Sequence, residues 1–345
     1  MKNPAMKKPA FQRRQFLNLL SAGAAATALP TLSFDAAAQA SGWHPSQTIT
    51  YYVGVAPGGS VDLYARGVKQ VLESLNLLHG QTMLVDNKPG AAGLLSLQPL
   101  QRNRGNAHQL ASFHTGGIAG QVTGILKADL NEFVPAVMLV EETTLVAVRA
   151  DSPLKNATEL VEALKKNPAA HSIAVAPIRG QNTHLAIAKP LKVAGVDVSN
   201  LTIAPFRSSG ESMTALLGGH VDVVSATSPT VLPLVQSGKV RILASAAPVR
   251  GTGPLAQVAT WREQGVDADY VSYNGVLLPA GMDAEQIRFW EQALRKVSAS
   301  AEWIALVEKS GNKPIFKGHT ESLQYMASEF KATKELVTAL GKGAV

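Results

Sequence analysis

Small polar residues and glycines gather at five turns, each just after an apolar run. Glycine lets the backbone approach a ligand closely, and free N–H groups at a helix start favour an anion. Ligands of open parallel sheets lie beyond the carboxyl ends of strands, so five such turns could converge on one anion site. The candidate binding residues are Gly58, Gly59, Ser60 and Asp62; His114 and Thr115; Arg179, Gly180, Thr183 and His184; Phe206 and Arg207; and Thr227.

Four of these side chains have two readings each. Ser60 could cap a helix or touch the ligand. Asp62 could be a structural residue of the first helical turn, or a contact to ligand and water. Arg207 could hold a carboxylate through paired hydrogen bonds, and both it and Arg179 could instead be surface residues. We expect Arg207→Ala to weaken binding without unfolding the protein.

Catalytic and metal chemistry has little support in the sequence. Ser60, Asp62 and His184 are the residue types of a hydrolytic triad, but no G-x-S-x-G turn surrounds Ser60. The chain has no cysteine, and its 8 histidines are scattered without an H-E-x-x-H pattern. Glu141-Glu142 is interpreted as a solvated or hinge pair. The sequence therefore predicts no catalytic residue, no metal and no cofactor.

Alternating strands and helices are predicted to carry these turns. Runs of β-branched and aromatic residues indicate strands, apolar residues at helical spacing indicate helices, and their alternation favours parallel α/β units. The predicted strands are 48–56, 82–85, 110–113, 144–148, 172–176, 201–204, 221–225, 241–246 and 270–277. The predicted helices are 61–77, 94–100, 158–166, 183–193, 211–217, 231–236, 284–298 and 321–340.

Two lobes and a leader are predicted. Pro and Gly gather between residues 248 and 254, which suggests a boundary there and a second one near residue 145. Residues 41–145 and 255–345 would form lobe 1, and residues 146–254 would form lobe 2. Two chain crossings would then leave a cleft between the lobes, and clefts of this kind are preferred ligand sites.

The leader, residues 1–40, has the features of an export signal. Arg13-Arg14 precedes a moderately apolar run, and Ala38-Gln39-Ala40 matches an A-x-A cleavage pattern. We predict cleavage after Ala40, by the twin-arginine route or the general secretory route. The alternative of an uncleaved anchor is disfavoured because the run is short against the roughly 20 residues needed to span a bilayer. The expected location is the periplasm.

Composition is that of a globular protein and gives no nucleic-acid footprint. The 345 residues are 46% hydrophobic and 17% charged, which excludes a disordered chain. The net charge is +7, from 32 basic and 25 acidic residues. The leader holds five of the basic residues and only Asp35 of the acidic ones, so the rest carries 27 against 24, or +3. Basic and acidic residues are interleaved there, unlike a nucleic-acid-binding face.

Four segments resemble the substrate-binding proteins of tripartite tricarboxylate transporters, also called the Bug family. Residues 53–62 are similar to the first motif of that family, and residues 85–93 to its V-E-N-R-P-G-A-G-G loop. Residues 216–223 resemble its L-L-G-G-x-V-D stretch, and residues 277–281 its L-x-A-P-A-G segment. The resemblance covers nearly all of the chain that follows the leader.

The resemblance implies a periplasmic, two-lobed α/β binding protein of the type II-like class, which closes over a small carboxylate held largely by backbone amides and ordered water. The contacts implied by position are Gly58, Gly59, Ser60 and Asp62, then Gly180, Thr183 and His184. Phe206 stands where the family commonly has Tyr. Ala226-Thr227 replaces a frequent Asp-Asn pair, and Arg179 is added, so we expect a more positive cleft.

The predicted function is capture of a di- or tricarboxylate, or an aromatic acid, for delivery to a membrane transporter. The predicted partners are the ligand and the membrane subunits of a tripartite transporter, without nucleic acid, and the protein is expected to be a monomer. One alternative is a ligand-sensing component that contacts a receptor ectodomain. A less favoured alternative is an exported serine hydrolase.

Overall fold

The computed structural model describes residues 42–341. The predicted export segment and its cleavage site lie outside these residues. The described chain forms two β-sheets, each flanked by helices. No helix between residues 42 and 341 combines the length and apolar character that a bilayer span needs.

Eleven strands build the two sheets. The first sheet has the order β11-β4-β10-β3-β1-β2, and the second has the order β7-β6-β8-β5-β9. The strands of the first sheet are β1 Ile49–Val53, β2 Met83–Asn87, β3 Gln109–His114, β4 Val134–Glu142, β10 Ser272–Leu278 and β11 Lys313–Lys317. The strands of the second sheet are β5 Thr144–Arg149, β6 Ser172–Val175, β7 Thr202–Pro205, β8 Val223–Thr227 and β9 Val240–Ser245.

Ten α-helices cover these sheets within the described chain. Those between β1 and β4 are α1 Ser60–Ser74, α2 Leu94–Arg102 and α3 Thr115–Val122. Those between β5 and β9 are α4 Ala157–Lys166, α5 Asn182–Val193, α6 Ser209–Leu217 and α7 Ser228–Gln236. The last three are α8 Ala284–Ala299, α9 Ala301–Lys309 and α10 His319–Leu340.

Parallel α/β units were expected, but the sheets are mixed. Four strand pairings are parallel and five are antiparallel. The antiparallel pairings all involve β5, β10 or β11. Only Thr143 separates β4 from β5, so the chain leaves one sheet and enters the other directly. β5 therefore runs away from the gap between the sheets, whereas its neighbours β8 and β9 run the other way.

Periodicity located most elements to within a few residues, and it missed β4, α3, α9 and β11. The α3 sequence contains three glycines, which have a low helix propensity, so the sequence indicated a loop. Packing explains those glycines. A Cβ on Gly120 would lie 2.7 Å from Gln181 Nε2, and one on Gly116 would lie 3.0 Å from Asn182 Oδ1. Small residues thus let α3 approach the start of α5.

Apolar residues form separate cores around the two sheets. Trp290 and Trp303 are fully buried beside the first sheet, and Trp261 is fully buried beside the second. One face of α8 belongs to the core of the first sheet, since Trp290, Leu294 and Val297 are buried. Leu340, at the end of α10, joins the core of the second sheet. The lobe boundaries at residues 145 and 254 stay a prediction.

A polar network ties the β4–β5 crossing to one helix of each lobe, α1 and α7. Asn312 Oδ1 accepts hydrogen bonds from the Thr143 N–H at 2.7 Å and from the Ser228 hydroxyl at 2.8 Å. Its Nδ2 donates to the Tyr64 hydroxyl and to Ser310 Oγ. One amide side chain thereby satisfies groups from α1, α7 and the crossing.

We predict that Asn312→Ala lowers the free energy of unfolding by about 2–3 kcal/mol, because the half-buried Thr143 N–H loses its acceptor and the buried Tyr64 and Ser310 hydroxyl groups lose a donor. Urea denaturation at pH 7 measures this. Asn103→Ala is the matched control, since Asn103 is exposed and bonds only within its own turn. Equal midpoints for the two variants would contradict the assigned role of Asn312.

Candidate functional site

A cavity lies between the two sheets, and residues from all five predicted turns line it. It holds about 360 Å³ of empty space, including its mouth. Its lining combines apolar surface with hydroxyl, amide, imidazole and carboxyl side chains. The lining residues are Val55, Gly59, Ser60, Val61, His114, Glu142, Ala176, Pro177, Asn182, Thr183, Ser208, Ser209 and Thr227.

Five helices begin at this cavity. The residues that precede α1, α3, α5, α6 and α7 are Gly59, His114, Gln181, Ser208 and Thr227. Only Ser208 caps its helix with a side-chain hydrogen bond. The first N–H groups of a helix have no partner within it, and the helix dipole makes that end positive. The arrangement therefore favours a small anion.

Several buried polar atoms around the cavity have no hydrogen-bond partner among the described residues. Two of them belong to lining residues, namely Thr227 Oγ1 and Glu142 Oε1. Others are Thr144 Oγ1, on the strand paired with Thr227, and both side-chain atoms of Asn274. Buried polar groups are nearly always satisfied in native proteins, so this cluster suits a bound polar ligand or ordered water.

Glu142 is a cavity residue that the sequence analysis did not select. It ends β4 and is only 2% exposed. Burial raises the pKa of its carboxyl group, and the nearby side chains of Ser60, Asn274 and Ser272 oppose that rise. The interpretation of Glu141-Glu142 as a solvated pair is wrong for Glu142, which is buried, and the hinge interpretation stays a prediction. One sequence pattern could have indicated Glu142 as a cavity residue. An apolar run ends in an acidic residue just before the predicted lobe boundary.

Asp62 acts as a structural residue of the first turn of α1, which is one of the two roles considered for it from the sequence. Its carboxylate accepts hydrogen bonds from the Gly58 N–H at 3.2 Å, from Arg66 Nε at 3.0 Å and from Asn87 Nδ2 at 2.9 Å. Burial acts to raise the pKa of Asp62, but these hydrogen bonds outweigh it and hold the pKa below its usual value. Asp62 thus fixes the loop that presents Gly59 and Ser60 to the cavity.

Thr183 and His184 shape the second-lobe turn. The Thr183 hydroxyl donates to the Ala176 carbonyl at 2.6 Å and accepts from the Ala176 N–H at 2.8 Å. His184 is fully buried, and its Nδ1 accepts from the Gly180 N–H at 3.0 Å. Because Asp62 and His184 are engaged in these other bonds, the triad considered above is not assembled with Ser60.

The remaining candidate residues do not line the cavity. Arg207 is 80% exposed and pairs with Glu211 at 3.0 Å. Phe206 packs against the core of the second lobe. Thr115 bonds Tyr325 at 2.6 Å and the Tyr273 N–H at 2.8 Å within the first lobe. Arg179 is half-buried, and its charge helps to lower the pKa of His184.

The expected positive cleft is therefore not produced by side chains. No lysine or arginine is among the lining residues, and the positive character comes from the helix ends. His114 contributes no charge near neutral pH, because burial lowers its pKa to about 4. Between residues 42 and 341, no three His, Asp or Glu side chains gather as a metal ion would require.

Contacts across the gap bring the lobes together over the cavity. Gln181 Nε2 donates to the Ala92 carbonyl at 3.4 Å, from the second lobe to the first. The Gly58 carbonyl lies 3.5 Å from the place that a Cβ on Gly210 would occupy. These contacts join the two lobes beside the cavity.

The chain matches the family model described as the tripartite tricarboxylate transporter family receptor over residues 68–342, well over half of its length. It is similar to a UPF0065 protein in the gbd 5'region of Cupriavidus necator. The two are 28% identical over 331 residues, which cover 96% of this chain and 98% of the relative.

Solved structures share the fold. The periplasmic binding protein BugD superposes with a TM-score of 0.78 at 23% identity, covering 86% of this chain and 99% of BugD. MatC from Rhodopseudomonas palustris with bound malate gives 0.76 at 22%, covering 85% and 99%. Rpa4515 of R. palustris with adipate gives 0.79 at 20%, covering 86% and 98%. The prediction of a two-lobed α/β periplasmic binding protein fold is confirmed.

We predict that His184 makes the protein sensitive to acid. Burial, with the charge of Arg179, lowers the pKa of His184 to about 4, whereas an unfolded histidine titrates near 6.5. As pH falls through this window, only the unfolded chain binds the proton, so stability is lost on acidification. When the pH is lowered from 7 to 4, the free energy of unfolding of His184→Gln should fall by up to about 3 kcal/mol less than that of the native protein. Urea titrations at both pH values measure it, with exposed His220→Gln as control, and equal losses in all three proteins would refute it.

We predict that Arg207→Ala leaves ligand affinity within about twofold of the native value, in contrast to the expectation from sequence. Its guanidinium is largely in solvent and paired on its own helix turn, where such pairs contribute little. Calorimetric titration measures the affinity. A tenfold loss would show that Arg207 turns into the cavity when ligand is bound.

Proposed function

We propose that this chain, which belongs to the tripartite tricarboxylate transporter receptor family, is an exported substrate-binding protein. It captures a small carboxylate between its lobes and releases it unchanged to a membrane transporter. The observation that carries this proposal is the convergence of five helix N-termini on one cavity that lies between the lobes.

The physical argument rests on many modest contacts. A helix N-terminus stabilises an anion by about 0.3–1 kcal/mol, or up to about 2 kcal/mol when partly buried. Five helix ends, together with the hydroxyl groups of Ser60, Ser208 and Thr227, offer enough donors for micromolar binding, which corresponds to about −8 kcal/mol. Backbone donors recognise a carboxylate and place few demands on the rest of the ligand.

The ligand class is supported by the neighbours. MatC is described with bound malate and Rpa4515 with adipate, and both share the fold of this chain. Both of these ligands are small dicarboxylates. We therefore propose a di- or tricarboxylate, or an aromatic acid, as the ligand of this cavity.

The site consists of lining residues and of residues that position them. We propose that Gly59, Ser60, His114, Ser208 and Thr227 contact the ligand. Gly58, Asp62, Gly180, Thr183 and His184 hold the loops that present those groups. Capture is coupled to closure, because a ligand shifts an open–closed equilibrium only through its preference for the closed form.

Export and delivery are parts of the same proposal. The leader with Arg13-Arg14 would direct the protein to the periplasm, with cleavage after Ala40, and the membrane subunits of a tripartite transporter would receive the ligand. A pull-down with the ligand-loaded protein separates the transport role from a signalling role. Recovery of the transporter subunits without a sensor ectodomain would support transport, and recovery of a sensor ectodomain would support signalling.

We predict that malate, adipate, citrate or benzoate binds the purified protein at micromolar concentration and is recovered unchanged. Calorimetric titration measures the affinity, and chromatography of the released ligand tests its identity. Thr227→Val should weaken binding about tenfold, since one hydrogen bond to a charged group is lost.

The matched control for this prediction is Thr338→Val. Thr338 is an exposed residue of α10, and its hydroxyl group donates only to the Lys334 carbonyl. Equal affinities of Thr227→Val and the native protein would exclude Thr227 from the site. Failure of the folded native protein to bind any of the four acids, or release of a different compound, would overturn the proposed function.

A further inference from the structure

The buried carboxyl group of Glu142 faces a cavity that otherwise suits an anion. Its Oε2 lies 3.5 Å from Ser272 Oγ, and the Ser60 and Asn274 side chains also lie near the carboxyl group. Its Oε1 makes no well-formed hydrogen bond within residues 42–341. A buried carboxylate in contact with the carboxylate of a ligand would be strongly unfavourable, because like charges at a desolvated site repel each other. The two groups are compatible if they share one proton.

The groups that face Glu142 do not neutralise it in another way. They are Tyr64 from α1, Tyr270 ahead of β10 and His114 from the end of β3. Burial raises the pKa of both tyrosines and lowers that of His114 to about 4. All three groups are therefore neutral between pH 5.5 and pH 9, and no cationic side chain acts on Glu142 among the described residues.

The neighbouring Glu141 differs from Glu142 in its exposure, in its charged neighbour and in the direction of its side chain. Its side chain is 28% exposed and lies 3.9 Å from Lys313 Nζ and 3.5 Å from the Tyr273 hydroxyl. Alternate residues of a strand point to opposite faces of the sheet, so Glu141 faces away from the cavity. The same chemical change at the two positions thus separates a role in the cavity from a general effect of charge.

We propose that Glu142 takes up a proton as the ligand enters and donates it in a hydrogen bond to a ligand carboxylate, so that the site binds a carboxylate together with one proton. This inference rests on the proposed function and names the residue that couples it to pH. Above the pH at which free Glu142 ionises, ligand, protein carboxylate and one solvent proton combine in the complex. Below that pH the proton is already present, and binding takes up none.

The direction of the pH effect follows from this balance. Burial raises the pKa of Glu142, so the proton is retained to a higher pH than in an exposed glutamate. Affinity is full below that pKa and falls as pH rises through it, by about tenfold for each pH unit. Glu142→Gln keeps a neutral donor of the same shape, so below that pKa it should bind within about threefold of the native protein, and it should show no such fall as pH rises.

The experiment is calorimetric titration of malate and of adipate from pH 6 to pH 9, in paired buffers with different ionisation enthalpies. We expect the native protein to take up one proton per ligand at high pH and Glu142→Gln to take up none. Glu141→Gln should behave as the native protein does. His114→Gln should keep the pH dependence, which separates Glu142 from the other ionisable group of the cavity.

A second measurement needs no ligand. A glutamate with a raised pKa stabilises the fold below its unfolded pKa and loses that contribution as pH rises. The free energy of unfolding of the native protein should therefore fall between pH 5 and pH 8 relative to that of Glu142→Gln. The reverse order would overturn the inference, as would loss of ligand binding in Glu142→Gln, since the ligand would then need a negative charge.

The outcomes separate the inference from the function on which it rests. Binding of malate or adipate with constant affinity and no proton uptake overturns the role of Glu142 and leaves the proposed function standing. If the folded native protein binds none of the four acids named above at any pH, both fall together.

Discussion

The structure depends on one electrostatic arrangement, in which five helices start at the same gap between two sheets. Each start follows a strand whose carboxyl end reaches that gap, so the strand order of both sheets is what aims the helix ends. Gly59, His114, Gln181 and Thr227 leave these ends without a side-chain cap. The first N–H of α7 donates to the Thr143 carbonyl, and the positive ends of the five helix dipoles are how a site with no lining cation can attract an anion.

The carboxyl group of Glu142 lies in the same cavity as these positive helix ends. A carboxyl group buried at 2% exposure would be costly if it were charged and unpaired, and it sits where an anionic ligand would come. The helix ends and the carboxyl group together give the cavity a preference that depends on protonation. The fold tolerates Glu142 because hydroxyl and amide groups of Ser60, Ser272 and Asn274 surround it.

Two sets of contacts hold the lobes beside each other. Asn312 joins the β4–β5 crossing to α1 and α7 through hydrogen bonds. Elsewhere, the glycines of α3 allow close approach to the start of α5, where the side chains of Gln181 and Asn182 pack against them.

The sequence by itself determined the α/β class, most of the elements and the five turns, because these depend on local periodicity and on glycine, proline and capping residues. It also predicted that Gly59, Ser60, Thr183 and Thr227 would come together. Only the tertiary structure decided the strand directions, the helical state of α3, the exposure of Arg207 and the burial of Glu142. Those features depend on contacts between residues far apart in the chain, as in the pairing of Glu142 with Ser272, and no local pattern encodes such contacts.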